Sequence, residues 1–265
     1  MIRPQEIEEK SAVLGVTIST IERDYVQNWI LKHLRTINMV LKGGTGIRKV
    51  YFEDYRFSDD LDFTLLDEVD IAELNEQISI ATEKTQEESG INIINNGIKS
   101  NKNGYEATLF FQIKQRGLNR TKIKVDITKK SKENVILPPN TKQIIHPYSD
   151  QLDYELKVYP LEEIMAEKLR SLFQRTRPRD LYDIWKLWDE VNWSIIDGII
   201  REKFLFKKIY YDLNYFIGNK RDFKNAWKSS LGNQLNALPA FDNVFNNILK
   251  RLNEKNWFNK QYYSE

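Results

Sequence analysis

Hydrophobic and polar positions divide this chain into two stretches of different period. Up to about residue 158 short alternating runs mix with helical ones; beyond it the spacing is helical almost throughout. A first helix is expected to open near Pro4. A second should begin at Ser19 or Thr20, where Ile21, Tyr25, Trp29 and Leu31 give an apolar face. Residues 39–41 read as a short buried strand ending in the turn Gly43-Gly44, with a helix expected over 46–51. Residues 60–66 alternate as a half-buried strand does, Leu61, Phe63 and Leu65 facing one side and Asp60 and Asp62 the other. An amphipathic helix is expected over 69–88. Strands follow over 91–98, 105–113 and 123–128, the first two joined by Asn101-Lys102-Asn103-Gly104.

The second stretch reads as helices over 161–173 and 181–188, with Pro178 suited to a first helical turn. Beyond residue 194 the pattern stays helical and dense in aromatic residues, without a recognisable motif. Pro138-Pro139-Asn140 is the expected loop near the junction. The fold class expected is therefore α+β: an α/β domain with a mixed sheet over 1–158 and a mainly helical domain over 159–265.

Composition narrows the chemistry. The chain has 265 residues, 41% of them hydrophobic, enough for one large core or two modest ones. No apolar run approaches a membrane span and no leader pattern opens the chain, so a soluble cytoplasmic protein is expected. With no cysteine, a disulfide framework, a zinc–thiolate site and a thiol nucleophile are excluded. Two histidines, His33 and His146, are too few for a histidine metal site. A net charge of +2 leaves any nucleic-acid surface as a local patch.

The candidate chemistry starts at Lys42-Gly43-Gly44-Thr45 and Arg56-Phe57-Ser58-Asp59-Asp60-Leu61-Asp62-Phe63. Two carboxylates at i, i+2 on a strand lie roughly 6–7 Å apart, a spacing that lets their oxygens converge on hard divalent cations. Magnesium takes oxygen ligands and keeps room for phosphates, so the pattern suits phosphoryl or nucleotidyl transfer. Asp126, within Lys122-Ile123-Lys124-Val125-Asp126-Ile127, offers a third carboxylate on a neighbouring strand. Lys168 lies one helical turn from the apolar Ile164, and Asp180 and Asp183 share a helical face. The P-loop spacing, the third Rossmann glycine and the hydrolase elbow are missing.

Together these motifs resemble the DNA polymerase beta-like nucleotidyltransferases, and within them the AbiEii/AbiGii toxin family that includes the MenT toxins. The match rests on Lys-Gly-Gly-Thr, Ser-Asp-Asp-Leu-Asp-Phe, Val125-Asp126-Ile127, Ala166-Glu167-Lys168 and Arg179-Asp180 with Asp183, spread over about residues 40–190. The resemblance implies Mg2+ or Mn2+ held by Asp60, Asp62 and Asp126, with Asp126 completing the set or acting as base. It implies a nucleoside triphosphate cradled by Gly43, Gly44 and Thr45, supported by Arg56 and Ser58. Lys168 would meet the triphosphate, with Asp180 or Asp183 orienting it or the attacking group. The implied acceptor is the 3′ end of tRNA, and the implied partner an AbiEi-type antitoxin that need not touch the toxin. A transferase acting on a protein or small molecule, or a non-catalytic nucleotide-binding regulator, are the alternatives. Asp59 stands where the family often has Glu.

Ordinary readings stay open beside these. Asp126 would also suit a surface pair with Lys124, and Lys168 a pair with Glu163 or Glu167. Asp180 would suit a helix cap and Asp183 a partner of Arg179. Arg175, Arg177 and Arg179 suit either RNA phosphates or a solvated turn. His33 reads as a helix-surface residue, and Trp185 and Trp188 as core.

Overall fold

A computed structural model of the chain describes residues 1–113, 120–255 and 257. The chain divides into two compact units, Met1–Glu133 with Pro138–Tyr159, and Asn134–Leu137 with Pro160–Glu265.

The first unit is built on a mixed seven-stranded sheet. Helices α1 (Pro4–Leu14) and α2 (Ile18–Leu34) precede β1 (Met39–Lys42), α3 (Gly43–Val50) and β2 (Leu61–Leu65). Then come α4 (Ile71–Ser89), β3 (Asn92–Asn101), β4 (Gly104–Gln112), β5 (Thr121–Thr128), β6 (Asn140–Gln143) and β7 (Glu155–Val158). Strand order is β3-β4-β5-β2-β1-β7-β6. β2 runs parallel to β5, β1 runs parallel to β7, and the remaining neighbours are antiparallel. Thr17 caps α2 and Asp70 caps α4 through side-chain oxygens, and Gly15 and Gly90 close α1 and α4 in the left-handed conformation. Leu61, Phe63 and Leu65 are buried in a core shared with Ile21, Ile78 and Val125.

Several expectations shift. The strand expected over 60–66 is Leu61–Leu65, so Asp62 lies within it and Asp60 stands just before its first residue. The helix expected from Gly46 begins at Gly43, whose φ of +68° lies in the left-handed region that glycine enters without strain. β6 and β7 lay unread as strands. His33, expected on a helix surface, is 7% exposed: α2 is buried round most of its circumference, and the ring faces Glu88 at 3.6 Å.

The second unit is helical among its described residues: α5 (Leu161–Leu172), α6 (Pro178–Leu187), α7 (Trp193–Phe206), α8 (Leu213–Gly218), α9 (Lys220–Leu231) and α10 (Phe241–Asn253). Pro178 opens α6, as its fixed φ and missing N–H favour. Aromatic rings fill this core, with Phe216 stacked on Phe245 at 4.5 Å. Glu163 and Lys203 are fully buried as an ion pair at 2.5 Å. The Glu163 carboxylate also accepts the backbone N–H of Ile136 at 3.0 Å and of Leu137 at 3.1 Å. One buried charge pair thus fastens residues 134–137 to the helices they belong with.

Candidate active site

The glycine turn and the acidic strands meet in the first unit. Gly43 approaches Asp62 so closely that a Cβ there would lie 2.8 Å from Asp62 Oδ2. A Cβ on Gly44 would lie 2.5 Å from Arg56 Nη2. A β-carbon at either glycine would push the Asp62 or Arg56 side-chain end aside, and Gly43 is favoured also by its positive φ. The Thr45 hydroxyl donates to the Asp60 carbonyl, tying the first turn of α3 to the chain just ahead of β2. Arg56 is buried and donates from Nη1 to the Phe57 carbonyl at 3.1 Å. The Ser58 carbonyl accepts from Gln27 Nε2 at 3.0 Å. A helix N-terminus backed by a guanidinium is a place where anionic oxygens bind well.

Register places the carboxylates. β2 and β5 pair Asp62 directly with Asp126, and β4 and β5 pair Asp126 with Glu106. Neighbouring strands lie about 4.8 Å apart, so register partners project from the same face as close neighbours. Burial raises the Asp126 carboxyl above its ordinary range, and the nearby Asp62 adds to that rise while Lys124 opposes it. Lys124 Nζ lies 3.1 Å from Asp126 Oδ2 and 2.8 Å from Glu106 Oε2.

Asp59 is drawn away from this group. Its Oδ1 accepts from Arg23 Nη1 at 2.6 Å, while Arg23 Nε donates to the Lys122 carbonyl at 3.2 Å. Among the described residues, no group of three or more His, Cys, Asp or Glu side chains is placed to hold a metal ion by itself. The pair Asp62 and Asp126 nonetheless fits magnesium, which often takes one or two carboxylates and completes its shell with waters and phosphate oxygens. Two like charges held side by side are also what a divalent cation relieves.

Behind the turn lies a network that the sequence did not reveal. Asp24 accepts from Arg48 Nε at 2.6 Å, lies 2.8 Å from Lys49 Nζ and accepts from the Tyr148 hydroxyl at 2.8 Å. Burial disfavours the Asp24 charge, but Arg48 and Lys49 overcome it and hold the carboxyl well below its usual range. Burial pushes the Lys49 ammonium down to about 8, with Asp24 opposing. The Arg48 guanidinium also lies 3.6 Å from the centre of the Phe57 ring. Charged residues on the core side of α3 thereby anchor the helix whose first turn faces Asp62. The only hint in the sequence was the adjacent Arg48-Lys49 in an otherwise small, apolar helix.

The second unit carries its own charged cluster. Lys168 Nζ lies 2.7 Å from Asp180 Oδ1 and 2.9 Å from Asp183 Oδ2. Arg175 Nε donates to Asp180 Oδ2 at 3.1 Å. Burial works against the Asp180 charge, yet Lys168 and Arg175 hold that carboxyl well below its ordinary range. Both aspartates thus grip one ammonium. Glu163 and Glu167, the other partners considered for Lys168, are engaged by Lys203.

With this geometry in place the comparisons are decisive. The family model "Nucleotidyl transferase AbiEii toxin, Type IV TA system" matches residues 28–247. This chain belongs to the AbiEii nucleotidyltransferase toxin family. The AbiEii match spans both units, including Asp60, Asp62, Asp126, Lys168, Asp180 and Asp183. Among solved structures the chain is similar to MenT4, a nucleotidyltransferase toxin from Mycobacterium tuberculosis. The two are 18% identical with a TM-score of 0.67, over 95% of this chain and 88% of that one. It is also similar to JHP933 from Helicobacter pylori, 18% identical with a TM-score of 0.51, over 89% of this chain and 92% of that one. At such identities these likenesses speak for the AbiEii chain's fold alone. No curated protein matches it. No helix among the described residues is long and apolar enough to cross a membrane.

Proposed function

We propose that this member of the AbiEii family transfers a nucleotide from a nucleoside triphosphate to the 3′ end of tRNA in a divalent-metal-dependent reaction. The observation that carries the proposal is the strand pairing of Asp62 with Asp126, with the Gly43-Gly44 turn pressed against Asp62. Asp62 and Asp126 would hold Mg2+ or Mn2+, and Asp60 would join them from the segment before β2. The bound metal supplies charge neutralisation on the phosphates and lowers the pKa of a coordinated hydroxyl.

The remaining work falls to the chain. Backbone N–H groups at the start of α3 and the buried Arg56 guanidinium receive phosphate oxygens. The attacking hydroxyl forms its bond to the α-phosphorus as the bond to the bridging oxygen breaks, and pyrophosphate leaves. The hydroxyl proton would go to the carboxylate of Asp126, the candidate base paired with Asp62 across the strands. Positioning and electrostatics supply most of the acceleration in such a reaction.

Lys168 is proposed to serve the triphosphate, with Asp180 and Asp183 as positioning residues that hold its ammonium in one place. Arg175, Arg177 and Arg179 lie beside them in sequence as candidate contacts for RNA phosphates. An AbiEi-type antitoxin is the proposed partner, and a metal ion with its triphosphate the proposed ligand set.

Incubating the purified protein with each α-labelled triphosphate, Mg2+ and either total RNA or total protein tests the reading. Label should enter RNA of tRNA size. Label in protein, or release of pyrophosphate without labelled RNA, would overturn the choice of acceptor.

A further inference from the structure

Glu106, Asp126 and Asp62 form one row across three neighbouring strands, β4, β5 and β2. Lys124 stands two residues before Asp126 on β5 and so projects from the same face. Its ammonium bridges the first two members of that row, 2.8 Å from Glu106 Oε2 and 3.1 Å from Asp126 Oδ2. All three side chains are about one-third exposed, at 37%, 36% and 32%. Ion pairs this exposed contribute little to folding stability. The bridge nevertheless occupies one oxygen of the carboxylate that faces Asp62.

We infer that Lys124 is a positioning residue for Asp126 and that Glu106 acts through Lys124, drawing the ammonium aside so that a divalent cation can take the Asp126 oxygen. The inference rests on the reading of Asp126 as a metal ligand. Lys124 and an incoming cation compete for the same carboxylate, because both need its negative charge at close range. Glu106 gives the ammonium a second place to rest. Without Glu106, Lys124 would lie wholly on Asp126 and oppose the metal more strongly. Without Lys124, Glu106 would stand one strand further from Asp62 and affect the metal only weakly through space.

Mn2+ binding, followed by the electron paramagnetic resonance signal of the free ion, provides a readout independent of turnover. Lys124→Met should bind Mn2+ about tenfold more tightly than the parent protein, and Glu106→Gln roughly three- to tenfold more weakly. Lys124→Arg should stay within about threefold of the parent, since it keeps the bridging charge. In the Lys124→Met background, adding Glu106→Gln should change affinity by no more than about twofold. Additive effects of the two substitutions, or unchanged affinity in Lys124→Met, would overturn the inference. Asp126→Ala separates the two levels: parental Mn2+ affinity there would remove the metal assignment itself. Weakened binding in Asp126→Ala alongside additive Lys124 and Glu106 effects would remove only the inference.

Discussion

Asp126, the proposed metal ligand and base, is a carboxylate whose charge is unfavourable to the metal-free fold. Its carboxyl is raised by burial first and by Asp62 second. A carboxyl whose folded pKa lies above its unfolded value favours the folded state below the unfolded pKa, and that contribution is lost as pH rises through the folded pKa. In metal-free protein, Asp126→Asn should therefore melt at or above the parent temperature near neutral pH, by about 1–2 °C given the partial exposure. The difference should shrink toward acid pH and reverse when Mg2+ is added, because the cation stabilises only the parent. Thermal melts across pH, with and without Mg2+, check this; a variant less stable at neutral pH without metal would contradict it. Asp126 and Lys124 could be placed on one strand face from their i, i+2 spacing alone. Glu106 could not, because strand register depends on pairing across the sheet and leaves no mark in the local sequence.

At the scale of the element, α3 decides the site. It opens with two glycines, where a β-carbon would displace the Asp62 carboxylate or the Arg56 guanidinium. It is held from behind by Asp24, Arg48 and Lys49. Gly44→Ala should displace the Arg56 guanidinium and weaken triphosphate binding by at least about tenfold, while the melting temperature falls by only a few degrees. Equilibrium binding of a labelled triphosphate alongside thermal melts would show whether the loss is local; parental affinity would remove Gly44 from the cradle. The long periodic helices and the strands that β2, β4 and β5 became were legible because apolar spacing marks them. β6 and β7 were not: each has four residues, and Asn140, Thr141, Lys142 and Gln143 carry no apolar face to betray a strand. The start of α3 was misplaced by three residues, since glycine reads as a turn until its contacts are known.

At the scale of the whole molecule, the chain keeps a mixed-sheet unit and a helical unit, each with its own buried charge pair. In the helical unit, Lys203→Met would strand the fully buried Glu163, which also anchors the N–H groups of Ile136 and Leu137. Breaking such a pair from one side costs about 3–5 kcal/mol. Urea unfolding should show that loss, with Lys203→Met paired with Glu163→Gln recovering part of it because the amide carbonyl is neutral and still accepts from the backbone; an unshifted midpoint would contradict the structural role. The residues proposed for the site were singled out because their motifs stand in the order that a recognisable family shows. Which of them touch was not, since Lys168 turned out to be held by both Asp180 and Asp183. The central claim is that the carboxylates paired across β2 and β5 carry out nucleotidyl transfer. Its most direct test is release of pyrophosphate from an α-labelled triphosphate, with label moving to RNA, by the parent protein and by Asp62→Ala. The account predicts a loss of at least about a hundredfold in a variant that still folds, and turnover at the parental rate would contradict it.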